Sequence, residues 1–517
     1  MKNFMNSIQV KTPGSNFFDL SHNVKSSANM GNLYPCLVMP VIPGDRVTLG
    51  AESMGRLQPM VTPMMHRADI MIHYWFVPNR ILWDKWEKWI TGNNGDLPLP
   101  AHPTISIAPE DYATYPLLDY MDIPRPPVGG SPLPEKISAF PFAAYQMIYA
   151  NWYRDQNLID DEPESYTLTD GDNVGNLSAL LTLRRRAWEH DYFTSNLPFA
   201  QKGPEVTIPG GDVVLKDEWD DTARPGFENE GGARASGDVQ QEPLLGVGAP
   251  TIQISTGDDS VKAYDPDGTL TTAATSVNEF RILVQLQRYY ETAARVGSRY
   301  VEWLKGFFGV KSSDARMQIP EYIAGLKTPF VISEVLNTTG TEERPQGDMA
   351  GHGLAYLDGS TGTYYSEEHG YIVAMYSILP RTGYQQGIPR HYNCFTDPTQ
   401  YFTPHFANIG EQATLNKEIY AWQGAAGDQT FGYLPRYSEY RTMPDRVTGE
   451  FRDTLSFWTM NRIFDTPPAL NRDFIEANPT DRVFAVQDET VDKVLLNIRH
   501  KIHANRKIPR YGTPLGL

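Results

Sequence analysis

Proline and glycine interrupt this chain so often that long helices have little room. It carries 42 glycines and 40 prolines in 517 residues, about 16% together against an average near 12%. Glycine opens turns that need a left-handed backbone, and proline stops strands and helices alike. A chain cut into such short pieces builds a large core by cross-strand pairing. The apolar material is present: 40% hydrophobic residues, with Tyr 28, Phe 22 and Trp 10. At 21% charged residues it is no disordered polymer. The expectation is a large β-rich globular protein, although the length would accommodate three or four domains.

Charge and cysteine exclude further classes. Lys+Arg 45 against Asp+Glu 62 gives a net −17, so nucleic-acid contact needs a local basic patch. Cys36 and Cys394 stand far apart and outside any C-x-x-C spacing. That excludes a disulfide scaffold and a structural zinc site, and each reads as a buried free thiol. The first residues hold no apolar core with a small-residue cleavage site, and no apolar run reaches the roughly 18 residues of a bilayer span. The expectation is a soluble protein without membrane insertion, made in a reducing cytoplasm.

Strand periodicity is clearest near the two ends. Ile70, Ile72, Tyr74 and Phe76 alternate with Asp69, Met71, His73 and Trp75, and Pro78 stops the run. Residues 371–379 are apolar on both faces, which suits a central strand covered on both sides. Near the C-terminus Val494, Leu496, Ile498 and Ile502 alternate with Lys493, Asn497, Arg499 and Lys501, a half-buried strand with one wet, basic face. Helices read as insertions between strands. One covers 83–90, with Gly92 as its C-terminal cap. Another covers 142–157, with Tyr145, Ile148, Tyr149 and Trp152 on one stripe. The strongest starts at Ser276, where Glu279 completes a capping-box spacing. From it Ile282, Leu286, Tyr289, Ala293, Val296, Tyr300 and Trp303 recur at steps of four and three. Such a stripe reads as core packing rather than a cofactor site.

Residues 205–277 differ in kind, with 14 acidic and 4 basic side chains and 10 glycines. They read as an exposed excursion, too polar to form much core. Inside them Asp265-Pro-Asp267-Gly268-Thr269 has the D-x-D-G-T form of a phosphatase nucleophile loop, but that motif needs a buried parallel strand before it. Ordinary turn chemistry is the better reading. His500 and His503 lie three apart on a strand and so point to opposite faces, which argues against a shared metal. Glu367-Glu368-His369 reads as loop charge at a strand entrance. No nucleophile elbow, zinc-protease helix, Walker loop or dinucleotide fingerprint is present. Neither an enzyme nor a cofactor is expected.

From Arg499 to Leu517 the chain holds Arg499, Lys501, Arg506, Lys507 and Arg510, two histidines and no acid. In a chain at −17 this is a polarised arrangement. It reads either as a solvated strand edge or as a phosphate-facing patch.

These residues assemble a family pattern. FDLSHNVKSSANMGNLYPCLVMPVIPGDRV (18–47) followed by YWFVPNRILWDKWEKWITG (74–92) resembles the opening of Microviridae major capsid proteins. The order continues with AAYQMIYANWYRDQN, LRRRAWEHDYFTSNLPFAQKG, LQRYYETAARVGSRYVEWLKGFFGV, DPTQYFTPHFANIGEQ, FGYLPRYSEYR and the closing RKIPRYGTPLGL. The similarity covers nearly the whole chain outside 205–277. It implies one capsid domain over 1–517: a viral antiparallel jelly-roll barrel, the double Greek key, with long, partly helical insertions. It further implies a T=1 icosahedral shell of a small tailless phage, closest to the gokushovirus-like branch. The acidic insertion then builds a protrusion at the threefold axes. The implied partners are other copies of the chain, packaged single-stranded DNA, a small basic DNA-binding virion protein, a DNA pilot protein, and a host receptor met through 205–277. The protein belongs in the virion, assembled in the bacterial host cytoplasm. On this reading the genome-facing residues are Arg499, Lys501, Arg506, Lys507 and Arg510. A β-sandwich that binds or cleaves polysaccharide is the alternative, and the absent signal peptide counts against it.

Overall fold

The computed structural model describes residues 14–92, 98–125, 136–207, 276–336, 349–488 and 490–511, together with short strands at 213–215, 226–229, 261–264 and 270–272. The chain divides into two compact units, residues 201–293 and the remainder.

In the larger unit ten strands carry the architecture. The first five are β1 (Asn16–Asp19), β2 (His22–Ala28), β3 (Leu33–Val41), β4 (Arg46–Leu57) and β5 (Ala68–Pro78). The others are β6 (Glu321–Pro329), β7 (Val331–Leu336), β8 (Met349–Tyr365), β9 (Gly370–Pro380) and β10 (Val494–Arg506). One sheet runs β10–β4–β8–β7, with β1 and β2 paired in succession along the far side of β10; the other runs β6–β5–β9–β3. Every pairing in both is antiparallel. Strands β2, β3, β4 and β5 fall in alternate sheets, and the chain changes sheet again after β6, after β8 and before β10. The protein is mainly β, with two antiparallel sheets sharing a core.

That core follows from the alternation. Val47, Leu49 and Ala51 of β4 and Val494, Leu496, Ile498, Ile502 and Ala504 of β10 turn inward from the first sheet. They meet Ile70, Ile72, Tyr74 and Phe76 of β5 and Ile372, Ala374, Tyr376 and Ile378 of β9. Each buried Ile or Leu contributes roughly 1.5–3 kcal/mol relative to exposure. The intervening residues of β9, Val373 and Met375, join Leu33, Trp75 and Val77 in a second core with Phe140, Tyr145 and Ile148. That is why 371–379 is apolar throughout: β9 is covered on both faces.

Among the described residues the longer helices are α1 (Trp86–Thr91), α2 (Phe140–Ile148), α3 (Val277–Val296) and α4 (Tyr300–Phe308). Gly92 closes α1 with φ 83°, its N–H on Lys88 O. Ser276 and Glu279 exchange the two capping-box bonds, at 2.9 and 3.1 Å. The unit 201–293 also holds two antiparallel ladders, 226–229 with 261–264 and 213–215 with 270–272.

Four expectations need correction. The helix read over 142–157 is α-helical only to Ile148 and finishes as a π-turn, Tyr149–Tyr153. The stripe starting at Ile282 is core only in part: Ile282 is 65% exposed, and Leu286, Tyr289 and Tyr300 are also exposed, while Ala293 is buried. Gly297, at φ 110°, breaks it before α4. Lys493 does not lie on the wet face of β10. It is fully buried, with Nζ donating to Asp488 O at 2.5 Å and Val491 O at 2.6 Å. Cys36 is a buried thiol, but Cys394 is only half-buried.

Candidate nucleic-acid interface

With one face of the six-stranded sheet in the core, the other is left to solvent, and its composition is set by the second residue of every strand pair. In register, Asp358, Glu52, Arg499 and Asn23 form a row across β8, β4, β10 and β2. Beside it run Tyr356, Met54, Asn497 and Lys25, then Leu354, Arg56, Leu495 and Ser27. Toward the other end lie Thr363, Thr48, His503 and Asp19, then Tyr365, Arg46, Asn505 and Phe17. The face therefore mixes cations (Lys25, Arg46, Arg56, Arg499, Lys501) with the carboxylates Asp19, Glu52 and Asp358. Between them stand the exposed rings of Tyr356, Tyr365 and Phe17.

The five residues singled out from sequence occupy three different settings. Lys501 donates to Asp358 at 2.7 Å and sits 3.4 Å from Glu52, and that hydrogen bond holds its ammonium above the ordinary lysine range. Arg499 shares Glu52 at 3.9 Å. Arg506 turns away from solvent: Nε lies 3.1 Å from Asp45, and Nη2 donates to Pro40 O at 2.8 Å. Lys507 and Arg510 are exposed, with no carboxylate within ion-pair distance among the described residues. Residues 512–517 lie outside the described residues. Sequence reasoning found the cations of β10 but missed Lys25, Arg46, Arg56 and the two tyrosines. The polar–apolar alternation of β4, from Arg46 to Leu57, was the available signal.

The other candidates resolve into structure. His500 is buried, its ring on Tyr74 Oη and Cys36 O, both at 3.0 Å. Burial pushes its pKa down to about 4. His503 is on the opposite, exposed side, 3.6 Å from Asp19. Glu368 receives a two-pronged contact from Arg80, at 3.0 and 3.1 Å, so it anchors the entrance of β9. Asp265 to Thr269 lie outside the described residues. The strand before them, Val261–Tyr264, pairs antiparallel, unlike the parallel strand a phosphatase loop requires. Among the described residues no cluster of three or more His, Cys, Asp or Glu is placed to hold a metal, and no helix is long and apolar enough to cross a membrane.

An exposed sheet face carrying both cations and aromatic rings is chemically suited to a phosphodiester backbone with unstacked bases. Comparisons with known proteins give the setting. A family model described as "Capsid protein (F protein)" matches residues 7–515. The capsid protein VP1 of Bdellovibrio phage phiMH2K is 32% identical over 96% of this chain and 94% of its own length. That of Chlamydia phage 1 is 31% identical over 99% and 98%, and that of Spiroplasma virus 4 is 26% identical over 96% and 94%. The chain thus belongs to the capsid protein family of the Microviridae: it is a structural subunit of a small phage, a virion component that assembles with copies of itself into a shell, and not an enzyme.

Proposed function

We propose that the sandwich is a jelly roll and that its copies close a T=1 icosahedral shell around a single-stranded DNA genome. The observation that carries this reading is the strand order. Numbered along the chain, β2–β10–β4–β8 and β3–β9–β5–β6 interleave as two Greek keys, the order in which viral shells fold an eight-strand barrel. Strands β1 and β7 extend one sheet at its two edges.

The solvent face of that sheet is the genome side on this reading. Packaged DNA repels a subunit at −17 unless cations gather inward, and this face together with Lys507 and Arg510 gathers them. Arg499 and Lys501 contribute while sharing carboxylates; Arg506 contributes by holding the strand end. Tyr356 and Tyr365 supply stacking that tolerates any base. On this reading the acidic insertion 205–277 meets the host receptor as the threefold protrusion. A small basic protein and a pilot protein complete the virion, and assembly takes place in the host cytoplasm.

Electron cryomicroscopy of expressed particles tests the reading. The expected result is a closed icosahedral shell with the row of Glu52 and Arg499 on its inner surface. Particles with that row facing outward would overturn the genome-side assignment, and a monomer that never assembles would overturn the shell.

A further inference from the structure

Residues 391–410 form a surface loop, every residue at least partly exposed, built around three short turns at Arg390–Tyr392, Pro398–Gln400 and Pro404–Phe406. A loop this long in a compact chain usually serves a function. It is not a polar loop. Asp397 is its one Asp, Glu, Lys or Arg, and that carboxylate is taken up by the Thr399 N–H at 2.7 Å. Tyr392, Phe395, Tyr401 and Phe402 belong to the loop, with Tyr440 and Met443 beside it, and the six are 51–77% exposed. Phe402 lies against Tyr440, ring centres 6.3 Å apart. Tyr392 and Met443 line one cavity of about 260 Å³ together with Arg390, and Cys394 Sγ donates to Arg390 O at 3.4 Å, just before Phe395. The six side chains thus make one patch.

The loop is held in shape by its own polar groups. Gln400 Oε1 accepts the N–H groups of Thr396 and Asp397, at 3.1 and 3.3 Å, and Gln400 Nε2 donates to Thr396 Oγ1 at 2.7 Å. The buried Tyr437 donates its hydroxyl to Thr399 O at 2.8 Å. Rings carried on a preorganised loop lose little freedom when a partner covers them. Taking roughly 150–250 Å² for a side chain of this size, the six present on the order of 800 Å² at those exposures. That exceeds the largest apolar patch of a typical monomer, about 300–600 Å². It matches what each partner buries in a standard interface, about 800 Å². Tyr, Phe and Met without charge is also the composition of an interface core.

We propose that this patch is a contact with a second copy of the chain, which covers the rings and inserts an apolar side chain into the cavity beside Tyr392 and Met443. Residues 391–410 give a phosphate backbone no Lys or Arg to meet, and the neighbouring Arg390 is held by Glu418 at 2.9 Å. An uncovered apolar patch of this size on a finished particle would draw particles together, so it is covered within the particle. Copies of the chain are what the shell is made of. The cavity gives such a neighbour the kind of pocket in which interface anchors sit: Phe193, Tyr384 and Val447 line it, and the hydroxyl of Tyr192 is already donated to Glu418 at 2.9 Å. The inference deepens the shell reading and rests on it, and it holds whichever face of the sandwich meets the genome.

Hydroxyl-radical footprinting of shells made from this chain alone, and of their dissociated subunits, tests it. Tyr392, Tyr401, Tyr440 and Met443 should react in the subunits and lose that reactivity in the shells. Phe395→Asp and Met443→Asp change exposed side chains, so each subunit should keep the wild-type melting temperature. The concentration needed for assembly should rise about tenfold or more in each. If either variant does not fold, the other variant and the wild-type footprint remain decisive. Equal reactivity in shells and subunits, or assembly of the folded variants at the wild-type concentration, overturns the proposal. Protection confined to complete virions gives the patch to another virion component and overturns it as well. A wild-type chain that closes no shell sinks the shell reading instead. The patch is then judged by the same footprint as subunit concentration is raised: growing protection supports it, and constant reactivity overturns it.

Discussion

Arg506 and Asp45 form an ion pair at 3.1 Å in which the carboxylate is fully buried. It joins the last residue of β10 to the turn between β3 and β4, where Asp45 also accepts the Ile42 N–H at 3.1 Å. Removing one member leaves the other charged and stranded, a loss of about 3–5 kcal/mol. Arg506→Ser should therefore lower the denaturant midpoint clearly, whereas Lys507→Ser and Arg510→Ser, at exposed positions, should stay within about 0.5 kcal/mol of wild type. Urea unfolding of the three variants checks this.

Lys507 and Arg510 should matter for DNA instead. If each meets one phosphate, the slope of log K against log salt for an oligo-dT becomes shallower by about 0.7 for each residue replaced. Fluorescence anisotropy across a salt series measures it. Wild-type slopes in both variants would mean that the tail faces protein.

Two neutral histidines make the fold acid-sensitive. Burial lowers both His73 and His500 from the ordinary value to about 4. Above pH 6.5 neither binds a proton in either state, and their full contribution is present. As pH falls from 6.5 to about 4 the unfolded chain takes up protons that the folded chain refuses, so stability drops, by at most about 3 kcal/mol per histidine. His500→Gln should be less stable at neutral pH, because Tyr74 and Cys36 lose their partner. Its stability should nonetheless fall less steeply across that window. Unfolding curves at pH 7.5, 5.5 and 4.5 separate the two effects.

Within one sheet, the two faces should respond oppositely to truncation. Ile498→Ala removes a fully buried side chain and should cost about 2–5 kcal/mol. Met54→Ala, 46% exposed on the solvent face, should cost under about 0.5 kcal/mol in the subunit. A large loss at Met54 would show that the face is covered before assembly.

The acidic insertion offers a test that needs no residue-level geometry. Deleting 225–260 should permit assembly and reduce host attachment, since loop-closure entropy changes slowly with length. Limited proteolysis of intact particles should cut there first. Protection of this segment in intact particles would argue for an inward placement.

The sandwich was legible because β5, β9 and β10 each write their surroundings in one strand. Period two with Ile70, Ile72, Tyr74 and Phe76 marks a single apolar side, and the unbroken run 371–379 marks two. The interface was only half legible. Arg499 and Lys501 are visible as cations, but Glu52 and Asp358, which tie them down, arrive from other strands through a register that no local pattern encodes. Lys493 misled for a local reason: it continues the polar parity of β10, yet its long chain turns back onto carbonyls two and five residues earlier. The stripe after Ser276 misled for the opposite reason. Helical periodicity reports that an apolar face exists, not that the same chain covers it.

Strand β10 sits between β2 and β4, partners that precede it by more than four hundred residues. At about 5–20 residues per second, ribosomal synthesis leaves those partners waiting for on the order of a minute. Until then β4 is without the neighbour it gains from β10, and β1 and β2 have no sheet to join. The centre strand is the last of the ten to be made, so the six-stranded sheet cannot be finished before β10 has been synthesised. Truncated or stalled chains are thereby barred from presenting a complete subunit to a growing shell, and quality control is built into the order of the strands.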